Sequence, residues 1–236
     1  TSNQPGYVPV LVNGRPLKSV NQYYNKRRAE LQSKLRCTGT TKRMERLTTR
    51  RNRRIEHYLH TASWWIIDDL VAHGIGTLVI GKNDGWKQEA NMGKRTNQNF
   101  VQIPHARFIQ MLSYKAELVG IRVIITEESY TSKASFLDRD EIPVYNPHQA
   151  AKPKFSGKRT HRGLYRAKDG TLINADCNAS LNIIRKVAPD AFGSEGVEDG
   201  KGHKPVVHPV RIVVPRRTQK ASNGASKQPK ERYKML

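Results

Sequence analysis

Thr77-Leu78-Val79-Ile80-Gly81, set off by Gly74 and Gly76, is a short unbroken apolar run, and Gly120-Ile121-Arg122-Val123-Ile124-Ile125-Thr126 is a second. Short continuous apolar runs bounded by turn-forming residues read as strands buried on both faces, because a half-exposed strand would alternate. Between them Phe100, Ile103, Phe108, Ile109, Leu112, Ala116, Leu118 and Val119 supply a helical pattern. Strand, helix, strand predicts two parallel strands joined by a crossover helix, and hence an α/β fold.

Working upstream, Val8-Pro9-Val10-Leu11-Val12-Asn13-Gly14-Arg15-Pro16-Leu17 reads as two short strands about an Asn-Gly turn. A long helical region is predicted from about Val20 to His73, broken near Thr38 to Thr41. Lys and Arg hold most of its exposed positions, and Trp64, Trp65, Ile66, Ile67, Leu70 and Val71 close it. Its apolar end, both tryptophans included, is expected in the core. Downstream, Asn174-Ala175-Asp176-Cys177-Asn178-Ala179-Ser180-Leu181-Asn182-Ile183 opens a helix with Ala179, Ile183, Ile184 and Val187 on one face, so Asp176 falls at its N-cap or first turn. Residues 189–236 turn to Gly, Pro, Ser and Lys and read as a disordered basic tail with one strand at Val206 to Val214.

Forty-two Lys and Arg against twenty Asp and Glu give a formal charge of +22 over 236 residues, which points to a polyanion partner and first to nucleic acid. No apolar run approaches the roughly 20 residues of a bilayer span, which excludes a helical membrane anchor within the chain. The composition reads as that of a soluble intracellular protein. Two cysteines, Cys37 and Cys177, exclude a disulfide framework and a four-cysteine zinc site. Lys26, Arg27, Arg28, Arg43, Arg46, Arg50, Arg51, Arg53 and Arg54 in the helical region suit phosphate contacts, as do Lys158, Arg159 and Arg162 further on. Tyr23, Tyr24 and Trp86 are candidates for stacking on bases.

Val123-Ile124-Ile125-Thr126-Glu127-Glu128-Ser129-Tyr130-Thr131-Ser132-Lys133, followed by Asn174-Ala175-Asp176-Cys177-Asn178-Ala179, resembles the C-terminal half of the transposon-encoded TnpB proteins, from about Asn21 to Val187. These are RNA-guided DNA endonucleases of bacterial insertion sequences, related to type V CRISPR effectors. The resemblance implies an RNase H-like (RuvC-like) domain over residues 1–188 that lacks its first strand, with a basic helical segment at 20–73 and a ribbon-like insertion at 129–173. It also implies a two-metal Mg²⁺ centre held by carboxylates, guide RNA and target DNA as partners, and a bacterial cytoplasmic location. Hard cations take oxygen donors and neutralise carboxylates that would otherwise repel.

By motif Asp176 matches the last catalytic aspartate of that site. Three departures accompany the match. The family's first catalytic aspartate lies on a strand ahead of the hairpin and has no counterpart here, so the chain alone is expected to lack nuclease activity. The family's glutamate would stand at Gly81, which binds no metal. The zinc-ribbon cysteines are absent, with Ser132-Lys133-Ala134-Ser135-Phe136 where the first pair would begin, so no zinc is expected. Phe136, Phe155, Leu164 and Tyr165 are expected to pack the insertion without metal. Glu127 and Glu128 end the neighbouring strand and are the candidates for a relocated glutamate, so the candidate metal ligands are Asp176, Glu128 and Glu127. Two further readings stay open: a non-enzymatic nucleic-acid binder, and a structural RNA binder of ribosomal type.

Overall fold

The computed structural model of the chain describes residues 1–35, 38–83, 103–146, 153–193 and 209–214. Among them it is a mixed α/β molecule with small sheets. The order is β1 (Val10–Val12), α1 (Arg15–Ser33), α2 (Lys42–Ala72), β2 (Thr77–Gly81), α3 (His105–Leu118) and β3 (Arg122–Thr126). It continues with β4 (Lys158–His161), β5 (Leu164–Arg166), β6 (Leu172–Asn174), α4 (Ala175–Val187) and β7 (Val210–Ile212). The expectations for Trp86, Phe100 and most of the tail lie outside the described residues.

The apolar runs form the predicted parallel pair, but the burial expected on both faces is not reached: no residue of either strand is fully buried and Ile125 is 51% exposed. β2 and β3 align Thr77 with Arg122 through Gly81 with Thr126, and α3 crosses between them. Ile67 and Leu70 of α2, Leu112 and Ala116 of α3, and Ile121 bury their side chains together, with Leu78, Ile80 and Val123 packed against them. Ile67 and Ala116 are completely shielded, so truncating Ile67 to alanine is expected to cost about 2–5 kcal/mol.

The predicted N-terminal hairpin does not form. Val10–Val12 is a strand, but Arg15 onward is helix, and β1 pairs in parallel with β7, Val10 opposite Val210 and Val12 opposite Ile212. The Asn-Gly pair serves a helix start instead. Asn13 Oδ1 accepts the Arg15 amide at 3.1 Å, Gly14 has φ −80° where a hairpin turn would need positive φ, and Pro16 falls in the first turn, where its missing N–H costs nothing. The expected strand in the tail is present as β7.

α2 runs 31 residues, about 46 Å at 1.5 Å per residue. Thr41 caps it, its hydroxyl accepting the Met44 amide at 3.3 Å. Met44, Thr48, Arg51, Ile55 and Leu59 follow one helical stripe. Along it Ile55 and Leu59 pack on Leu17 of α1, Tyr24 Oη meets Thr48 Oγ1 at 3.1 Å, and Arg51 Nε donates to Asn21 Oδ1 at 2.9 Å. Tyr24 is therefore buried and unavailable for stacking, whereas Tyr23 is exposed. The core placement expected of Trp64 also fails: it lies beside the inner stripe and stays 44% exposed, while Trp65 is half-buried.

The Trp64 indole covers Lys115 of α3, whose Nζ lies 4.7 Å from the ring centroid and donates to His60 O at 2.9 Å and Ser63 Oγ at 2.7 Å. Lys115 is fully buried, and burial lowers its pKa against the weaker opposing pull of Asp68. Between that lowered value and the ordinary lysine pKa the unfolded chain binds more protons, so Lys115 makes stability rise with pH across the window. Lys115→Met is expected to flatten that rise in urea unfolding curves taken between neutral pH and pH about 10.

Candidate functional site

α4, whose first turn carries Asp176, packs on both β2 and β3, and Glu127 and Glu128 follow directly on β3. Asn174 is the N-cap of α4: its Oδ1 accepts the Asp176 amide at 2.9 Å and the Cys177 amide at 3.2 Å. Asp176 thus sits in the first turn, exposed, where the helix dipole favours a negative charge. Behind it Cys177 and Leu181 enter a core with Phe136, Tyr165, Ile173 and Ala175. This core belongs to the ribbon-like region, whose β4, β5 and β6 form an antiparallel sheet in that order. The aromatic packing expected of Phe136 and Tyr165 is realised there, and Tyr165 is completely buried with its hydroxyl donating to Lys133 O at 2.8 Å.

The two glutamates after β3 have different environments. Glu127 is ion-paired with Lys186 of α4, and the Ser129 amide also donates to it. Burial opposes its charge, but the Lys186 and Ser129 hydrogen bonds prevail and hold its pKa below the ordinary glutamate value. The Glu128 carboxylate has no hydrogen-bonding or ion-pair partner among the described residues; only its amide is held, by Asn83 Oδ1 at 3.2 Å. Its pKa is raised, by burial first and then by the charge of Glu127. A half-buried carboxylate without a cation is costly unless something neutralises it.

Gly81 closes the comparison between strands. A Cβ built on Gly81 would lie 2.9 Å from Glu128 Oε2, 3.1 Å from Glu128 Cβ and 2.7 Å from Ile183 Cδ1. The Glu128 side chain therefore fills the space into which a side chain at 81 would project. Among the described residues no group of three or more His, Cys, Asp and Glu is gathered closely enough to hold a metal ion.

Sequence reasoning missed the rail that fixes this segment. Asn178, Asn182 and Lys186 recur every four residues on α4 and all bind the chain that follows β3. Asn178 Nδ2 donates to Ala134 O at 2.8 Å while its Oδ1 accepts the Phe136 amide at 2.9 Å. Asn182 Nδ2 donates to Thr131 O at 2.9 Å and Ala134 O at 2.8 Å. Lys186 adds Ser129 O at 3.3 Å to its ion pair. Both asparagines are fully buried. A polar stripe at helical spacing inside an apolar helix was the available signal.

The basic residues divide in the same way. Arg27 pairs with Glu30, and Arg51 is tied into the α1–α2 contact. Lys26, Arg28, Arg43, Arg46, Arg50, Arg53, Arg54, Lys158, Arg159 and Arg162 are exposed. Arg43, Arg46, Arg50 and Arg53 follow at steps of three or four on the side of α2 away from its buried stripe, with Arg54 one turn on from Arg50, which makes them a continuous cationic edge.

Two family models match the chain. Residues 4–87, from β1 through β2, match the OrfB_IS605 family, described as "Probable transposase". Residues 105–183, from α3 into α4, match the Cas12f1-like TNB domain. Among solved structures the chain is similar, at 22% identity and a TM-score of 0.49, to Cas12f1 in a cryo-EM complex with sgRNA and target DNA. That similarity covers 71% of this chain and 41% of that one, so the chain spans less than half the length of the Cas12f1 structure. No curated protein matches.

Proposed function

We propose that this chain, a relative of the transposon-encoded TnpB-type RNA-guided endonucleases, forms the RuvC-like, nucleic-acid-binding part of a Mg²⁺-dependent DNA endonuclease working with guide RNA and target DNA. The β2–α3–β3 unit with α4 across it is consistent with an RNase H-like domain. The observation that carries the reading is the Glu128 carboxylate, without a partner among the described residues, in the space of an absent side chain at 81 and beside the helix that carries Asp176.

The donor chemistry fits a hard divalent cation in kind, since both groups offer carboxylate oxygens. It does not fit in number. A two-metal centre draws on more carboxylates than the described residues gather, so no hydrolytic step is derived from these two alone. Within the proposed site Glu128 and Asp176 are ligands, and Glu127, already neutralised by Lys186, is a positioning residue. Mg²⁺, when bound, supplies charge stabilisation and activates water. Asp176→Ala is the test: Mg²⁺-dependent cleavage by an endonuclease containing this chain should vanish, and retained cleavage would refute the assignment.

The α2 edge supports phosphate contact. Replacing Arg46, Arg50, Arg53 and Arg54 by glutamine is expected to weaken binding of duplex and single-stranded DNA alike. It should also reduce the slope of log K against log salt by about 0.7–0.9 for each phosphate that is no longer neutralised. Titrations by fluorescence anisotropy, run from about 50 mM salt upward, measure this, and an unchanged slope would remove α2 from the interface.

A further inference from the structure

Three aromatic rings gather outside the cores described above, from separate points on the chain. Tyr130 lies with its ring centroid 6.5 Å from that of Tyr145 and 5.9 Å from that of Phe155, the rings tilted by 45° and 42°. Tyr130 and Phe155 are half-buried, while Tyr145 is 61% exposed and its neighbour Val144 is 67% exposed. Tyr130 holds φ 63°, a left-handed conformation disfavoured in a residue with a Cβ, and its carbonyl accepts the Lys133 and Ala134 amides, each at 2.9 Å. The turn aims its ring at the other two.

The surroundings are basic. Lys133 Nζ lies 5.8 Å from the Tyr130 centroid, exposed Lys154 precedes Phe155, and exposed Lys158 and Arg159 follow on β4. Filling of the ribbon-like region explains Tyr130 and Phe155, but it leaves the open Tyr145 ring without a role. Open aromatic faces ringed by cations are what unpaired bases stack on, and a duplex conceals its base faces.

We propose that Tyr145, backed by Tyr130 and Phe155, is a stacking platform for an unpaired nucleobase of a single-stranded nucleic acid. Lys133, Lys154 and Lys158 lie on the flanking phosphates. Glu128, one of the proposed metal ligands, lies two residues before Tyr130 in the chain. This rests on the nucleic-acid reading above and deepens it.

The test uses the 236-residue chain in EDTA, with single-stranded DNA and RNA oligonucleotides carrying 2-aminopurine and a duplex of the same sequence. Tyr145→Ala should weaken single-strand binding about fivefold to a hundredfold at both low and high salt, leave the salt slope and duplex binding unchanged, and abolish 2-aminopurine quenching. Tyr145→Phe should retain binding and quenching, whereas Tyr145→Leu should lose both. The DNA and RNA arms show which strand the platform takes, and a loss on either supports it. Leucine matching phenylalanine, equal losses on duplex and single strand, or no loss at all would overturn the platform while leaving nucleic-acid binding in place. A wild-type chain that binds neither form would overturn both.

Discussion

Under the proposed function, Glu128→Ala is expected to lower Mg²⁺-dependent cleavage by more than the roughly 100-fold that losing an outer-shell partner of a metal ligand costs. Glu127→Ala should cost less, since the Glu127 carboxylate is already committed to Lys186. The decisive companion is Gly81→Glu. Alone it forces a Cβ to 2.7 Å from Ile183 Cδ1 and 2.9 Å from Glu128 Oε2 and is expected to destabilise the fold by about 1–3 kcal/mol. In the Glu128→Ala background one obstacle is gone and the carboxylate returns to β2, so cleavage should recover relative to Glu128→Ala. A double variant no better than the single one would show that the two positions are not interchangeable.

The same carboxylate carries a pH signature. The pKa of Glu128 is raised in the folded chain, so the unfolded chain releases this proton first, and stability is lost as pH climbs through the window above the ordinary glutamate value. Glu128→Gln, which cannot ionise, should therefore be more stable than the parent at about pH 7 and equal to it near pH ~3.5, read as urea midpoints.

The second large effect belongs to the asparagine rail. Asn178→Leu with Asn182→Leu removes every side-chain hydrogen bond holding Thr131 O, Ala134 O and the Phe136 amide. At about 1–3 kcal/mol for each buried group left unsatisfied, the loss should reach about 3 kcal/mol or more. In a chain of this size that is a fall in Tm of about 6 °C or more. Calorimetry checks it. A smaller loss would mean that the segment after β3 finds other partners and that α4 does not set its register.

The parallel pair was readable because the apolar runs at 77–81 and 120–126 admit few alternatives, and the break between α1 and α2 because Thr-Gly-Thr-Thr interrupts the periodicity and offers the Thr41 cap. The N-terminus was misread because Asn13-Gly14 suits both a hairpin and a helix start. The deciding residue was Pro16, which the helix accepts in its first turn and a central strand would refuse. Trp64 was misplaced because apolar character near a helix end does not fix which face the residue takes. The first-turn position of Asp176 was legible from the apolar spacing that follows it. The difference between Glu127 and Glu128 was not, because it depends on Lys186, 59 residues away along the chain, and on the room left by Gly81.

Mn²⁺, a spectroscopically visible substitute for Mg²⁺, tests the central claim most directly when it is added to crystals of an endonuclease containing this chain. The proposed site predicts an anomalous peak within coordination distance of the carboxylate oxygens of both Glu128 and Asp176, with Glu127 still on Lys186. A peak on Glu127 instead, or Glu128 still lodged against Gly81 and Ile183 with no metal beside Asp176, would contradict it.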